Sequence, residues 1–417
     1  MDDVFDGRML RVVVIGAGQA GLSAAYYLSA RGLVPWEDFV VLDANDGPGG
    51  AWRHRWDSLT FGGAHGIHPL PAAPLDDPDP AEPANRIVPR YYGAYEHRFA
   101  LPVLRPVRVT AVTHDVDGFA VVTDRGRVAA ASVISATGTW DSPYIPHYPG
   151  IDRFLGRRLH TRDFRSAQEF RGERVLVVGG GTSALQFIQQ LAAHGADPVW
   201  TTRRTPQWTA RRFDAQWGLD VERSVSARTR QGLPPLSVSA ATGIPLHDLY
   251  APDIASGLLV SRGPLVHFTA HGAVLDGPGP DGTGYPSQGP ADRLAGQPAT
   301  LPGRPGARRI RVAEETRDGD APGTGTGGDA LWETPIDTVL WATGFRPHVP
   351  HLRGLGVRER TGGILMGDDG VTVPRMPGLF LAGYGASAST LGATRAGRRA
   401  AMAALRFARQ PAGDAAA

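Results

Sequence analysis

The chain of 417 residues contains no cysteine. That excludes a redox-active dithiol pair and any metal site built on thiolates. HExxH-type spacing is absent as well. Uninterrupted apolar runs stay far short of the ~20 residues that a membrane-spanning helix needs, so no membrane partner is expected. The opening MDDVFDG is acidic and lacks the apolar core of a secretory signal, which makes the cytoplasm the expected compartment. Charge of one sign is also scarce. The 43 Lys and Arg against 41 Asp and Glu leave a formal charge of +2, and the arginines are scattered along the chain. No bulk electrostatic case for nucleic acid follows. At this length, with 42% apolar residues, two sizeable cores are possible.

What is present is a repeated glycine pattern. Residues 11–32 read RVVVIGAGQAGLSAAYYLSARG, and residues 174–195 read RVLVVGGGTSALQFIQQLAAHG. In the first copy Val12 to Ile15 form the short apolar run of a strand buried on both faces. Gly16 and Gly18 permit a tight turn and close backbone approach to a pyrophosphate, and Gly21 lets the following helix pack on the strand. A second apolar run, FVVLD, ends at Asp43, placed to accept hydrogen bonds from a ribose hydroxyl. The alternative is a glycine-rich turn of some other α/β protein.

In the second copy Gly179, Gly181 and Ala184 give the GxGxxA form, and the next strand, PVWTT, ends in Arg203 and Arg204 where the first copy has an acid. A guanidinium pair suits the extra 2′-phosphate of NADP, which an acid would repel. The alternative is two arginines on a basic surface. The first loop thus suits a ribose-recognised dinucleotide such as FAD, the second NADPH.

Two further echoes support this organisation. VISATGTW at 133–140 and VLWATGF at 339–345 are apolar strands that end in Ala-Thr-Gly, each placed after one fingerprint. Such ends bring backbone against a cofactor and let the chain cross between domains. The expected fold class is α/β: two Rossmann-like dinucleotide-binding domains, with the NADPH domain inserted into the FAD domain. Its expected boundaries are 1–150 plus 345–417 for FAD, 151–164 for a linker, and 165–344 for NADPH. Residues 272–330 are Gly/Pro-rich and predict an inserted loop region, with ARRIRVAEE inside it as a possible strand. HPLPAAPLDDPDPAEP at 68–83 predicts an irregular connection. Residues 94–127 suit a helix followed by hairpin strands, and the C-terminal part a strand, a glycine turn and a helix starting near Ser389.

The linker carries FLGRRLHTRDF, which fits F-x-G-x-x-x-H-x-x-x-F/Y through Phe154, Gly156, His160 and Phe164. With it the chain resembles the class B flavoprotein monooxygenases: flavin-containing monooxygenases, N-hydroxylases and Baeyer–Villiger enzymes. GGAWRHRW from Gly49 is similar to the family's GGxW segment beside the flavin. RTPQW, Arg204 to Trp208, looks like the RTPxW segment whose Arg and Thr hold the NADP 2′-phosphate. WATGF and LFLAGYG resemble the family's return into the FAD domain. The resemblance implies that NADPH passes hydride to FAD, that O2 adds at flavin C4a, and that the resulting hydroperoxide oxygenates a small molecule. Baeyer–Villiger members typically end the fingerprint in Trp, so Phe164 points to oxygenation at an amine nitrogen or sulfur.

The candidate cofactor-binding residues begin with Gly16, Gly18, Gln19, Ala20 and Gly21 of the first loop, with Asp43 and Ala44 after the next strand. Gly50, Ala51 and Trp52 follow, then Val109, and then Thr137 with Gly138. In the second loop they are Gly179, Gly181, Thr182 and Ser183, continued by Arg203, Arg204 and Thr205. The two returning strands add Thr343 and Gly344, then Gly383, Tyr384 and Leu391. No metal ligand is expected, and no catalytic residue stands out. His160 is a candidate base, with ordering of the linker beside NADP as the other role. His54, His65 and His68 lie near the GGxW segment, and Trp208 and Trp217 are adenine contacts, substrate contacts or core.

The departures from the family are specific. Flavin-containing monooxygenases often carry an Asn near flavin C4a after a Ser-x-x-Thr stretch, where SLTFGG places Phe61. No residue matches the arginine with which Baeyer–Villiger enzymes stabilise the peroxide anion; Arg53, Arg55 and Arg86 are candidates by position. Baeyer–Villiger oxygenation of a ketone, an NADPH-dependent electron-transfer reductase, and a nucleotide sensor without catalysis remain as alternatives. Small-molecule substrate and O2 are the expected partners, and the oligomeric state is open.

Overall fold

In the computed structural model, β1 (Met9–Ile15) lies near the middle of a seven-stranded sheet, flanked by β2 (Phe39–Leu42) and β6 (Gly126–Ser135) in parallel. The structure describes residues 8–64, 66–206, 208–209, 223–235, 244–245, 250–277, 306–309, 331–385 and 390–409. β3 (Val103–Leu104) extends the sheet beyond β2, and β17 (Leu379–Leu381) adds in parallel to the last residues of β6. β4 (Val109–Asp115) and β5 (Gly118–Thr123) form a hairpin antiparallel to the first half of β6. Ile15 stands opposite Leu42 and Ser135, and Ser135 opposite Leu381, so four parallel strands end on one level.

Residues of β1 and β2 are buried almost without exception because both faces are covered. One face carries α1 (Gln19–Ala30), α2 (Ala84–Arg98) and, after α3 (Thr182–Ala193) of the other unit, α4 (Thr390–Phe407), with Leu22, Leu28, Tyr92, Ala400 and Leu405 in the core. α1 and α4 approach closely because α4 is rich in small residues: a Cβ added at Gly397 would stand 2.2 Å from the Ala20 carbonyl. The other face carries Val13, Val40, Val112, Leu352, Ile364 and Leu379.

The chain divides into two compact units, the first made of 1–142, 215–241 and 345–417, the second of 143–214 and 242–344. The second unit has its own parallel sheet, ordered β7 (Arg157–His160), β16 (Thr338–Trp341), β8 (Arg174–Val178) and β9 (Asp197–Thr201). Trp341 stands opposite His160 and Val178, and Val178 opposite Thr201. α3 (Thr182–Ala193) follows β8. A short parallel pair joins β10 (Trp208–Thr209) to β11 (Ile244–Pro245). A second sheet is antiparallel, ordered β12 (Leu265–Phe268), β13 (Gly272–Asp276), β15 (Leu331–Pro335) and β14 (Arg308–Arg309). Leu176, Val178, Val199, Phe268, Leu275, Trp332 and Trp341 share one core between the two sheets.

Three expectations differ from what is observed. Residues 272–276, assigned to the Gly/Pro-rich loop, are the strand β13, with Ala273, Val274 and Leu275 fully buried between β12 and β15. Residues 278–305 and 310–330 of that stretch lie outside the described residues. The fingerprint segment, assigned to a linker, supplies β7, an edge strand of the second parallel sheet. Residues 215–241, expected within the second domain, group with the first unit. There Thr361 donates to the Gly232 carbonyl, and Met366 N–H donates to the Thr229 carbonyl at 3.0 Å.

Candidate dinucleotide-binding sites

In the first unit Gly16 and Asp43 follow directly, and Thr137 and Gly383 one residue further on, after the four strands that end together, so these residues come to one edge. Ligands of open α/β sheets bind outside the carboxyl ends of the strands, at this edge. Gly16 takes φ +100°, and a Cβ there would stand 2.6 Å from the Ala136 carbonyl oxygen. A Cβ at Gly21 would stand 1.8 Å from the Gly16 carbonyl oxygen, whereas one at Gly18 would meet nothing within 4 Å. The first and third glycines are therefore required by the fold, and the second opens space in front of the helix. Gly18 is the N-cap of α1 and no side chain caps it; the first turn holds no acid. Free N–H groups and the positive end of the helix dipole suit a pyrophosphate there. The turn Gly50–His54 comes to the same place, since a Cβ at Gly50 would stand 2.9 Å from Gly18 Cα.

Several expected contacts are already engaged within the protein. The Asp43 carboxylate is buried and accepts from Arg105 Nε at 2.9 Å and from Asn45 Nδ2 at 3.2 Å. Arg105 in turn makes a bidentate pair with Glu96, both contacts at 2.6 Å. Gln19 donates to the His68 carbonyl at 3.1 Å and to Thr394 Oγ1 at 2.8 Å, and accepts from Tyr92. Its side chain knits α1, α2, α4 and the 66–70 loop together, so only its backbone is left for a ligand. Thr137 donates its hydroxyl to the His348 carbonyl. The Tyr384 ring is buried in the core and its hydroxyl accepts from Ile364 N–H at 2.8 Å. Val109 opens β4 and packs half-buried against the apolar face of the sheet. Ala44, Ala51, Trp52 and Leu391 are half-buried and Gly138 is exposed. Ser135, the last residue of β6, pairs through Oγ with Nε2 of His351 at 3.0 Å. Burial, and then the neighbouring His348 charge, push His351 down to about 4, so it is neutral.

The three candidate arginines have different surroundings. Arg53 donates to Asp46 at 2.6 Å and to the Pro48 carbonyl at 2.9 Å. Arg86 meets Asp57 at 3.3 Å. Arg55 instead lies over Trp140 at 4.5 Å, with Trp52, Trp56 and Phe345 at 5.8, 5.9 and 6.0 Å. Burial brings its guanidinium down to about 10, which leaves it protonated at neutral pH. His54 stacks on Trp140 and bonds Asn45 Oδ1 at 2.7 Å. His68 gives its carbonyl to Gln19, and its N–H donates to Thr390 Oγ1 at 2.9 Å.

The second unit repeats the backbone plan. Gly179 takes φ +150°, and a Cβ there would stand 2.2 Å from the Ala342 carbonyl oxygen. Trp200 in β9 donates Nε1–H to the Gly179 carbonyl at 2.7 Å and anchors the turn. Gly181 caps α3, again with no side-chain cap and no acid in the first turn; Thr182 is half-buried and Ser183 exposed. Arg203, Arg204 and Thr205 are exposed beyond the end of β9, and the described residues give neither arginine a hydrogen bond or ion pair. Thr343 donates its hydroxyl to the Tyr144 carbonyl, and Gly344 lies beside it with φ +77°.

His160 closes β7 with 1% of its surface exposed. Nε2–H donates to the Gly344 carbonyl at 3.0 Å, and Nδ1 accepts the Arg162 N–H at 3.1 Å. Burial lowers its pKa, against the opposing pull of the Gly344 bond and Asp163. Both ring nitrogens are thus engaged and the ring is neutral, an arrangement that holds the backbone in place. The other fingerprint residues pack. Phe154 lies in the core, and a Cβ at Gly156 would stand 2.3 Å from the Asp337 carbonyl oxygen. Phe164 stacks on Phe170 at 5.7 Å and meets Phe187 edge-on at 4.6 Å.

Sequence reasoning missed Arg105, Trp140 and Trp200, which meet partners distant in the chain and carry no local signal. Trp208 is buried against Trp200 and Tyr250. His65, Trp217 and Ser389 lie outside the described residues. Among the described residues no cluster suits a metal ion, and no helix is long and apolar enough to cross a membrane.

Residues 13–238 match the family described as pyridine nucleotide-disulphide oxidoreductase. The structure is similar to that of a flavin-containing monooxygenase from Stenotrophomonas maltophilia, with 30% identity, a TM-score of 0.69, and coverage of 95% of this chain and 98% of that one. Indole-3-pyruvate monooxygenase YUCCA1 of Oryza sativa subsp. japonica is 33% identical over 197 residues, 46% of this chain and 48% of its own length. A Baeyer-Villiger monooxygenase of Streptomyces coelicolor is 31% identical over 237 residues, 54% of this chain and 44% of its own length. The chain spans about half the length of the curated relatives it matches. With two uncapped phosphate loops at the ends of two parallel sheets, the chain belongs to the pyridine nucleotide-disulphide oxidoreductase family and, within it, to the class B flavoprotein monooxygenases, whose cofactors are FAD and NADPH.

Proposed function

We propose that this protein is an NADPH- and O2-dependent flavoprotein monooxygenase that transfers one oxygen atom to a small molecule, at an amine nitrogen or a sulfur. The observation that carries the reading is the pair of open phosphate loops, one in each unit of a chain without cysteine. When bound, FAD and NADPH supply the redox chemistry and the activation of oxygen. The protein's part is to hold, orient and exclude water. N–H groups at the start of α1 and α3 would receive the two pyrophosphates. The Asp43 carboxylate, steadied by Arg105, would accept the ribose hydroxyls of FAD. Arg203 and Arg204, exposed and without an ion pair among the described residues, would select the 2′-phosphate of NADPH. His160 would act as a positioning residue for the Gly344 turn, not as a base.

A soft nitrogen or sulfur nucleophile needs no acid or base from the protein. Phe164 at the end of the fingerprint supports the same choice. Oxygenation of a ketone is the second reading, and the similarity to the Streptomyces coelicolor Baeyer-Villiger monooxygenase favours it. Incubation with NADPH, 18O2 and a panel of amines, sulfides and ketones tests both. The label is expected in an N-oxide, hydroxylamine or sulfoxide. Label in an ester instead selects the second reading. NADPH consumption with electrons passed to an added quinone and no labelled product would show an electron-transfer reductase.

A further inference from the structure

Arg53 and Arg55 of the turn Gly50–His54 and its C-cap, and Arg86 of α2, lie near Asp46 and Asp57 in the chain or the fold, and both acids are already taken. Asp46 receives Arg53 at 2.6 Å. Asp57 receives Arg86 at 3.3 Å and Asn85 Nδ2 at 2.8 Å. Asn85 also donates to the Arg55 backbone carbonyl at 2.8 Å, fixing that residue's main chain. Arg55 is left with rings: Trp140 at 4.5 Å and three more aromatic side chains at up to 6.0 Å. Its Nε is buried and has no hydrogen-bond partner among the described residues. Aromatic faces attract a cation but accept no in-plane N–H, so they leave Nε unsatisfied. A partly desolvated charge with no counterion among the described residues is costly, and an anionic ligand would relieve that cost. The residue remains reachable, since Arg55, Trp52 and Phe345 are each only half-buried. A guanidinium with rings against it offers a flat edge of N–H donors, which matches a carboxylate in two parallel bonds.

We propose that Arg55, boxed by Trp52, Trp56, Trp140 and Phe345, is a specificity residue that recognises the carboxylate of an organic-acid substrate. The word substrate rests on the monooxygenase reading above; the binding of a carboxylate does not. Placement supports the role, because Arg55 follows the Gly50–His54 turn that touches Gly18 of the first phosphate loop. The other source of an oxyanion is a phosphate of the dinucleotides, and the test separates the two.

Three of the box residues are tryptophans, so their emission reports on the site directly. The FAD-loaded protein is titrated with phenylacetate and with its neutral counterpart phenylacetamide, without NADPH, while tryptophan emission is followed. The acid should bind roughly 10- to 100-fold more tightly than the amide, the range expected for hydrogen bonds to a charged group. Arg55→Gln should abolish the difference while flavin content stays unchanged. Arg55→Lys keeps the charge but not the fork, and should restore only part of it. Equal binding of acid and amide by the unsubstituted protein would overturn the proposal, as would a preference that survives in Arg55→Gln. Loss of FAD from Arg55→Gln, or displacement of phenylacetate by inorganic pyrophosphate, would assign the anion to the cofactor instead and overturn it as well. No turnover is required, so a failed 18O2 experiment and a failed titration are separate results.

Discussion

The two units share a backbone plan and differ in charge. In each, the first loop glycine has a positive φ and abuts the alanine carbonyl of an Ala-Thr-Gly strand end, Ala136 in one and Ala342 in the other. In each, that glycine's N–H donates to the end of the next strand: Gly16 to Leu42 at 2.7 Å, Gly179 to Thr201 at 3.1 Å. Beyond that point they part. The first unit ends its neighbouring strand in Asp43, buried and locked to Arg105 and Glu96. The second ends it in two exposed arginines with no partner among the described residues. A site whose polar groups are held in advance binds without ordering cost, whereas exposed side chains must be ordered each time a ligand arrives. The difference suits a cofactor that stays in one unit and a nucleotide that comes and goes in the other.

The charge difference is broken most directly in the second unit. Replacing Arg203 and Arg204 together by Ala should weaken NADPH by about 2–4 kcal/mol, from two lost charge-assisted contacts. NADH lacks the phosphate, so its use should barely change. Steady-state kinetics with both nucleotides measures this, and an undiminished preference for NADPH would make the arginines surface decoration.

A second comparison concerns two buried histidines, His351 of the turn Pro350–Leu355 against Ser135 and His160 at the end of β7 against Gly344. Both are lowered by burial, His351 to about 4. The unfolded chain then binds protons that the folded one refuses, so stability is complete above about 6.5 and falls as pH drops toward the folded value. At ~1.4 kcal/mol per pKa unit, His351 accounts for about 3 kcal/mol of that loss by pH 4. His351→Asn should flatten the acid limb of a denaturation series between pH 6.5 and 4. The same substitution at His160 should flatten it less. An acid limb unchanged by His351→Asn would refute the assignment.

The last test returns to the first unit. Asp43→Ala removes a charge-assisted bond to ribose worth about 1.5–3 kcal/mol, and apo-protein should appear on purification. Arg105 keeps Glu96 in that variant, so the loss should not come from an orphaned cation. Arg105→Met sharpens the point: Asp43 then loses its clamp but keeps its charge, and FAD affinity should fall by a smaller amount. Equal flavin content in all three proteins would remove Asp43 from the site.

Much of this was legible along the chain because it is local. The loops at Gly16 and Gly179 announce themselves by glycines at fixed offsets between an apolar strand and a helix. The Ala-Thr-Gly echoes are legible for the same reason, although their purpose is not. Parallel pairing of β1 with β6, and of β8 with β16, is what sets each echo beside its loop. Where composition stood in for structure, the expectation slipped. Gly272–Asp276 begins a glycine-rich stretch yet forms a buried strand, because β12 and β15 supply partners on both sides. FLGRRLH reads as a signature between domains yet forms β7, since Gly156 fits only where no side chain blocks the Asp337 carbonyl.

What the sequence determined by itself is therefore the presence of two nucleotide loops, their order, the acid after one and the arginines after the other. The lack of cysteine likewise closed off dithiol chemistry before any fold was known. These properties depend on residue identity within a few positions. Only the tertiary structure decided which polar groups are free. Gln19, Asp43, Thr137, Tyr384 and His160 were all plausible ligand contacts, and each is engaged by a partner at least 62 residues away or, for Tyr384, 20 residues earlier in the chain. Arg55 shows the reverse. Acids nearby in sequence are taken by other donors, and Trp140 and Phe345 from distant segments join Trp52 and Trp56 around it, so its Nε has no partner among the described residues. Hydrogen-bond satisfaction is a sum over neighbours in space, and no window of sequence contains that sum.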